Sequence, residues 1–60
     1  MIISIGEQIK EVEREIALRV NVYPRWVLQG KMRGADADMH IARMRAALET
    51  LRNVERQNVQ

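Results

Sequence analysis

Apolar side chains recur along the chain at the three- and four-residue spacing that is typical of amphipathic helices. In the first half they form one stripe, made of Ile5, Ile9, Val12 and Ile16. In the second half they form another, made of Ala37, Ile41, Met44, Leu48 and Leu51. Two helices joined by a short connection predict an all-α fold, an antiparallel helical hairpin.

The start of the first helix carries a capping box. In this motif the Ser4 hydroxyl accepts a hydrogen bond from the Glu7 amide, and the Glu7 carboxylate reaches back to the Ser4 amide. The first helix is predicted over about residues 4–29. Because Pro24 has no amide to donate and its ring crowds the preceding turn, we expect a kink or a break at residues 21–24.

The connection is marked by glycine. Gly30 suits the left-handed position that ends a helix, so the turn is predicted at residues 30–34. The second helix is predicted over about residues 35–55, where the apolar pattern stops, and residues 56–60 are predicted to be a frayed tail. Residues 1–60 are therefore expected to form a single helical-hairpin domain.

A second copy of the chain is expected to complete the fold. Two helices lying side by side bury only one flank each, and a chain of this length buries only about 60% of the surface that its unfolded form exposes. The absence of cysteine removes disulfides as a source of stability. We therefore predict a homo-oligomer, preferably a dimer, with a coiled-coil-like four-helix arrangement. The predicted oligomer seam consists of Ile5, Ile9, Val12, Ile16, Ile41, Met44, Leu48 and Leu51.

Charge is distributed unevenly along the chain. Residues 17–35 carry four basic side chains and no acidic one, whereas residues 1–16 carry four acidic and two basic ones. Both aromatic side chains lie in the elbow, which we define as Tyr23–Arg33. Cations interleaved with aromatic rings are typical of single-stranded nucleic-acid binding. The formal net charge of +2, however, gives only weak long-range attraction to phosphate.

The elbow allows two further interpretations. Its two aromatic rings are the largest apolar groups available to fill a core, and its cations lie near helix ends, where they complement the helix dipoles. Alternatively, the elbow is a surface that binds a protein partner. The residues predicted to contact that partner are Tyr23, Arg25, Trp26, Lys31 and Arg33.

Catalytic and metal-binding patterns are weak. Asp36 and His40 are one helical turn apart, but a zinc site needs three or four protein ligands and no third one is near in the sequence. The glutamates of the first helix flank its apolar stripe, and no Glu-x-x-His motif accompanies them. The only serine, Ser4, is used as a helix cap. We therefore predict that the protein is not an enzyme and binds no cofactor or metal.

Membrane insertion and secretion are not indicated. No apolar run approaches the roughly 20 residues that cross a bilayer. The apolar start, Met1-Ile2-Ile3, is shorter than the apolar region of a secretory signal. The expected location is therefore the cytoplasm.

Several short motifs resemble a family of small helical proteins of tailed phages and prophages. The resemblance extends from about Ile9 to Leu51, and its most specific part is Tyr23-Pro24-Arg25. The other matching elements are Gly30-Lys31-Met32, Ala37-Asp38, Ile41-Ala42-Arg43-Met44 and Thr50-Leu51. This resemblance implies a non-enzymatic protein in the host-cell cytoplasm that modulates a host or phage protein through protein–protein contact. The family carries no established activity.

The second half is also similar to short oligomerisation modules of the SHOCT type. Those modules place a Thr or Ser cap before their second helix, and Arg33-Gly34 stands in that position here. The function predicted from the sequence is thus self-association and protein–protein interaction. The alternative is an accessory nucleic-acid-binding protein that uses the basic elbow.

Overall fold

The computed structural model describes residues 1–58 and places two helices in them, α1 (Ile5–Leu28) and α2 (Gly34–Asn58). The helices run antiparallel and pack against each other, and the guanidinium of Arg52 reaches across to the carboxylate of Glu13 at 2.9 Å. The predicted all-α helical hairpin is confirmed.

The start of α1 follows the sequence signal. Ser4 has an extended backbone (φ −67°, ψ 157°), and its hydroxyl accepts a hydrogen bond from the Glu7 amide at 3.1 Å. Within residues 1–58 the Glu7 carboxylate does not return a bond to the Ser4 amide. The side-chain amide of Gln8 instead donates to the Ile3 carbonyl at 3.1 Å. One half of the predicted capping box is therefore present.

The helix continues through Pro24, so, of the kink or break predicted at residues 21–24, the break does not occur. Asn21 lies inside α1 and does not cap a separate helix. The cost of proline inside a helix is about 3 kcal/mol. Here Pro24 lies only one turn from the helix end, and the adjacent Tyr23 is buried beside Ala37. Because burying a large apolar side chain contributes about 1.5–3 kcal/mol, packing on α2 offsets much of the loss.

A Schellman motif ends α1. Gly30 adopts the left-handed region at φ 73°. Its amide donates to the Val27 carbonyl at 3.1 Å, and the Lys31 amide donates to the Trp26 carbonyl at 2.9 Å. A side chain with a Cβ is strained at this φ, so the turn requires glycine here. The prediction that Gly30 ends the first helix is confirmed.

The start of α2 lacks a hydroxyl or carboxylate cap. Arg33 occupies the position before the helix, and its carbonyl accepts a hydrogen bond from the Ala37 amide at 3.1 Å. The Arg33 guanidinium also binds the carboxylate of Asp36, in the first turn, at 3.0 Å. This ion pair links the residue before the helix to its first turn. A Ser or Thr cap would make that link with a hydrogen bond from a backbone amide to its hydroxyl.

The second helix is longer than predicted. It extends through residues 56–58, which were expected to be frayed. There the Arg56 guanidinium binds Glu49 at 3.0 Å and also Asn53, on the preceding turns of the same helix. Residues 59–60 of the predicted tail lie outside the described residues.

The core lies between the two helices. Ile9, Ile16 and Leu48 form a cluster of buried residues, each no more than 8% exposed, and Tyr23 and Ala37 are buried nearer the turn. Partly buried side chains pack against the cluster, namely Ile5, Val12, Met44 and Leu51. Nearer the turn, partly buried Ile41 lies beside Ala37 and lines the same groove.

Of the residues predicted as an oligomer seam, Ile9, Ile16 and Leu48 are buried within the single chain, and the other five are partly buried. A helical period indicates which face is buried but does not say what covers it, and here the facing helix of the same chain covers most of the stripe. Any assembly of two hairpins must rely mainly on other side chains.

The molecule is a thin slab, 47 × 21 × 15 Å. Its accessible surface is 4826 Å², whereas a compact monomer of 7.0 kDa exposes about 4,000 Å². A single pair of helices leaves both broad faces uncovered, so the chemistry of those faces decides what the protein can bind.

Candidate interaction surface

The two broad faces of the hairpin can be assigned from the direction of each side chain. On α1, Val12 projects about 40° to one side of the core direction set by Ile16, and Glu13 projects about 60° to the other side. On α2, Leu51 and Arg52 diverge from the core direction in the same way. The contacts agree, since Val12 and Leu51 line one groove while Glu13 and Arg52 form an ion pair.

One face carries the ion pair that joins the two helices and, on α2, the exposed side chains of Arg45, Glu49 and Arg56. We call it the polar face, although Val20 of α1, 44% exposed, also lies on it, about 40° from the core direction. Two of its charged side chains on α2 are themselves paired, with 3.0 Å between Arg56 and Glu49. Exposed ion pairs contribute little to stability, but they keep this face hydrated.

The opposite face, which we call the apolar flank, carries uncovered hydrophobic side chains along α1. Leu18 is 44% exposed and Trp26 is 41% exposed, and Val22 lies between them on the same side of the helix. These residues line an open groove of 340 Å³, together with Glu15, Arg19 and Tyr23. A row of exposed hydrophobic groups on a small protein indicates a surface that another molecule covers.

A second groove, of 640 Å³, continues the apolar flank toward the opposite end of the hairpin. It is lined by Ile3, Glu7, Gln8, Glu11, Val12 and Leu51. Met1 and Ile2 are almost fully exposed, and Ile3 is half exposed. The apolar flank therefore has an uncovered hydrophobic group at each end, with Ile3 at one and Trp26 at the other.

The two aromatic residues of the elbow have different roles. Their ring centroids are 5.7 Å apart with planes tilted by 34°. Tyr23 is buried in the hairpin at 9% exposure, so its predicted role as a partner-binding residue is corrected to a core role. Trp26 rests on Tyr23 and is partly covered, with its outer edge on the apolar flank. Tyr23 and Trp26 are three positions apart on the helix, so only one of them can point directly at α2. Tyr23 does so because it continues the apolar stripe of the core.

The other elbow residues predicted to contact a partner lie at the surface. Arg25 and Lys31 are exposed and form no ion pair within the described part of the chain, whereas Arg33 is paired with Asp36. Leu28 is 88% exposed at the end of α1. It borders a groove of 430 Å³ that opens on the other face and is lined by Tyr23, Pro24, Val27, Gly34, Ala37, Asp38 and Ile41.

Ion pairs neutralise the middle of α1 and leave its ends charged. Arg14 binds Glu11 and lies 3.7 Å from Glu15, which is 3.6 Å from Arg19. The hydrogen bond and the charge of Arg14 hold the pKa of Glu11 below its usual value. Near the ends of the helix, Glu7 and Arg25 have no such partner among residues 1–58.

The residues considered for metal binding do not form a site. No group of three or more His, Asp or Glu side chains converges within residues 1–58. The Asp36 carboxylate forms an ion pair with Arg33. His40, one turn further along α2, is partly buried. Two glutamates of α1 form surface ion pairs instead, Glu11 with Arg14 and Glu15 with Arg19.

The apolar flank was not predicted from the sequence, although the sequence contains the spacing that indicates it. Leu18, Val22 and Trp26 follow one another at four-residue intervals, which aligns them along one side of a helix. The stripe through Ile16 contains more apolar residues and therefore predicts the apolar face of the helix. The kink or break predicted at residues 21–24 also assigns Trp26 to a different helical segment from Leu18 and Val22.

Comparison of the chain with protein-family models, with curated proteins and with solved structures gives no match. In the part of the chain that the structure describes, neither helix combines the length and the apolar character needed to cross a bilayer. The side chains described above are therefore the basis on which a function can be inferred.

Proposed function

We propose that this protein is a non-enzymatic interaction protein that associates with a second copy of itself through the apolar flank. The observation that carries the proposal is the exposure of Leu18 and Trp26, with the partly buried Val22 between them, after the hairpin has filled its own core. Two hairpins that pack by this face form a four-helix arrangement, in which each supplies the layer that the other lacks.

Sedimentation equilibrium of two matched variants tests self-association. Leu18→Asp places a charge on the apolar flank, whereas Ala17→Asp places the same charge on the adjacent residue, which projects about 100° away toward the polar face. We expect the wild type and Ala17→Asp to be dimers at micromolar concentration and Leu18→Asp to be a monomer, because the interface would have to desolvate an unpaired carboxylate. A wild-type monomer throughout the micromolar range would refute the proposal.

The end of the hairpin is proposed to contact a further protein, of host or phage origin in keeping with the phage-type motif Tyr23-Pro24-Arg25. Leu28 and Lys31 support this proposal, because an almost fully exposed leucine beside an unpaired cation suits an apolar and acidic partner segment. The test is affinity capture from the source cells with wild type and with Leu28→Ala/Lys31→Glu. We expect the double variant to remain folded and to lose a specific set of captured proteins.

Nucleic-acid binding is the second candidate. It is favoured by the four basic side chains and the absence of acidic ones in residues 17–35. Fluorescence anisotropy with a single-stranded oligonucleotide at 50 and 200 mM salt separates the candidates, because phosphate contacts give a steep loss of affinity with salt. Since Arg19 and Arg33 are paired with carboxylates, we expect weak binding with a shallow salt dependence.

A further inference from the structure

We infer that two copies pack their α1 helices antiparallel along the apolar flank, so that the Ile2-Ile3 segment of each lies over the Trp26 edge of the other. This inference rests on the proposed self-association and adds the surface, the direction and the register of the two copies. It follows from hydrophobic groups and charges that are placed at opposite ends of the same helix.

The hydrophobic groups provide the first argument. Ile3, at 51% exposure, and Trp26, at 41%, lie on the same flank at opposite ends of the helix. A rise of 1.5 Å per residue separates them by about 35 Å. In a parallel pair, Ile3 of one copy would face Ile3 of the other, and Trp26 would face Trp26. An antiparallel pair brings the flexible aliphatic group of one copy onto the large flat ring of the other at both ends.

The charges provide an independent argument. Residues 1–16 carry an excess of acidic side chains, and residues 17–35 carry only basic ones. In a parallel pair like charges would face each other along the whole contact. In an antiparallel pair the acidic half of each α1 faces the basic half of the other, which favours association and sets its direction.

Glu7 and Arg25 give the register. Both are exposed, both lack an ion-pair partner within residues 1–58, and both project about 180° from the core direction, along one edge of the apolar flank. When two helices run antiparallel, the same edge of each helix lies on the same side of the pair. Glu7 of one copy therefore faces Arg25 of the other, twice in a symmetric dimer. In this register the symmetry axis passes Ile16, midway between positions 7 and 25.

The available area is sufficient for a dimer. The broad face measures 47 × 21 Å, so it presents roughly 1,000 Å², and a stable interface buries about 800 Å² per partner. The polar face has the same dimensions, but a second copy that covered it would have to desolvate the ion pairs Glu13–Arg52 and Glu49–Arg56. It is thus the apolar flank that a second copy covers.

Engineered cysteines test the direction, since the chain contains none of its own. Gln8→Cys and Val22→Cys are prepared as separate proteins, mixed, and oxidised in a glutathione buffer. The two positions are about 21 Å apart along α1. A disulfide needs Cα atoms within about 7 Å. In the antiparallel register, position 8 of one copy lies within two residues, about 3 Å along the helix axis, of position 22 of the other. We therefore expect the mixed disulfide to predominate over both homodisulfides.

The outcomes separate this inference from the proposed function. Predominance of the two homodisulfides would indicate a parallel pair and overturn the inference, while leaving self-association intact. A sedimenting dimer without the mixed disulfide would overturn it equally. A monomer in sedimentation, with cross-linking no greater than in a denatured control, would overturn both the proposed function and the inference.

Charge reversal tests the register. We expect Glu7→Arg alone or Arg25→Glu alone to raise the dimer dissociation constant by about tenfold, because each change creates two like-charge contacts in the dimer. The double variant exchanges the two charges and should return the dissociation constant to within about threefold of wild type. Arg45→Glu, on the polar face, is the control and should leave it unchanged. Failure of the double variant to recover, with helicity intact, would overturn the proposed pairing.

Discussion

Shortening Leu48 to alanine should remove a large part of the stability of the hairpin. Leu48 is only 8% exposed and packs between Ile9 and Ile16 of the facing helix. Leu→Ala changes at buried sites cost about 2–5 kcal/mol. Because the core here is one layer thick and water can reach the space that is vacated, we expect the lower end of that range, about 2–3 kcal/mol.

This loss is large for so small a protein. At about 0.05–0.15 kcal/mol per residue, 60 residues correspond to a free energy of unfolding of about 3–9 kcal/mol. Each kcal/mol shifts the melting temperature of a domain of this size by about 4–8 °C. Leu48→Ala should therefore lower the melting temperature by at least about 8 °C.

The control is Leu28→Ala, which makes the same chemical change at a leucine that is 88% exposed. We expect it to change the free energy of unfolding by less than about 0.5 kcal/mol. Urea unfolding followed by circular dichroism at 222 nm measures both variants. Protein concentration must be held constant, because association would stabilise the folded state by mass action. Equal losses for Leu48→Ala and Leu28→Ala would refute the assignment of the core.

Three other changes test local features. Pro24→Ala should raise stability by about 1–3 kcal/mol with little gain in helicity, because it restores one hydrogen bond in a helix that is already continuous; a loss of stability in urea would contradict this. Gly30→Ala should destabilise by about 1 kcal/mol, because Gly30 has φ 73°, whereas Gly34→Ala, at a helical position with open space around it, should stabilise by about 0.5–1 kcal/mol; the same urea assay checks their opposite signs. Arg14→Gln should raise the pKa of Glu11 toward its usual 4.5 in an NMR titration. Since that pKa is lowered in the folded protein, the stabilising effect of the pair is present above pH 4.5 and is lost as the pH falls through the lowered value; an unchanged Glu11 titration in the variant would contradict the assignment.

Local sequence signals determined the ends of α1 and the turn. The hydroxyl of Ser4 and the missing Cβ of Gly30 act on backbone groups within a few residues of themselves, so their effect can be read without knowledge of the rest of the chain. The apolar stripes likewise identified Ile9, Ile16 and Leu48 as inward-facing, because the helical period alone sets which side chains share a face.

The tertiary structure decided which apolar side chains α2 covers and which stay exposed. Three residues of the seam predicted for an oligomer, Ile9, Ile16 and Leu48, are buried within one chain because the turn brings α2 onto that stripe. Packing of Tyr23, the neighbour of Pro24, beside Ala37 of the other helix supports the continuity of α1. With α2 covering the stronger stripe, Leu18 and Trp26 of the weaker row are exposed and Val22 is partly buried. That exposure is a property of the packed hairpin, because it depends on the position of α2 and not on any one helix.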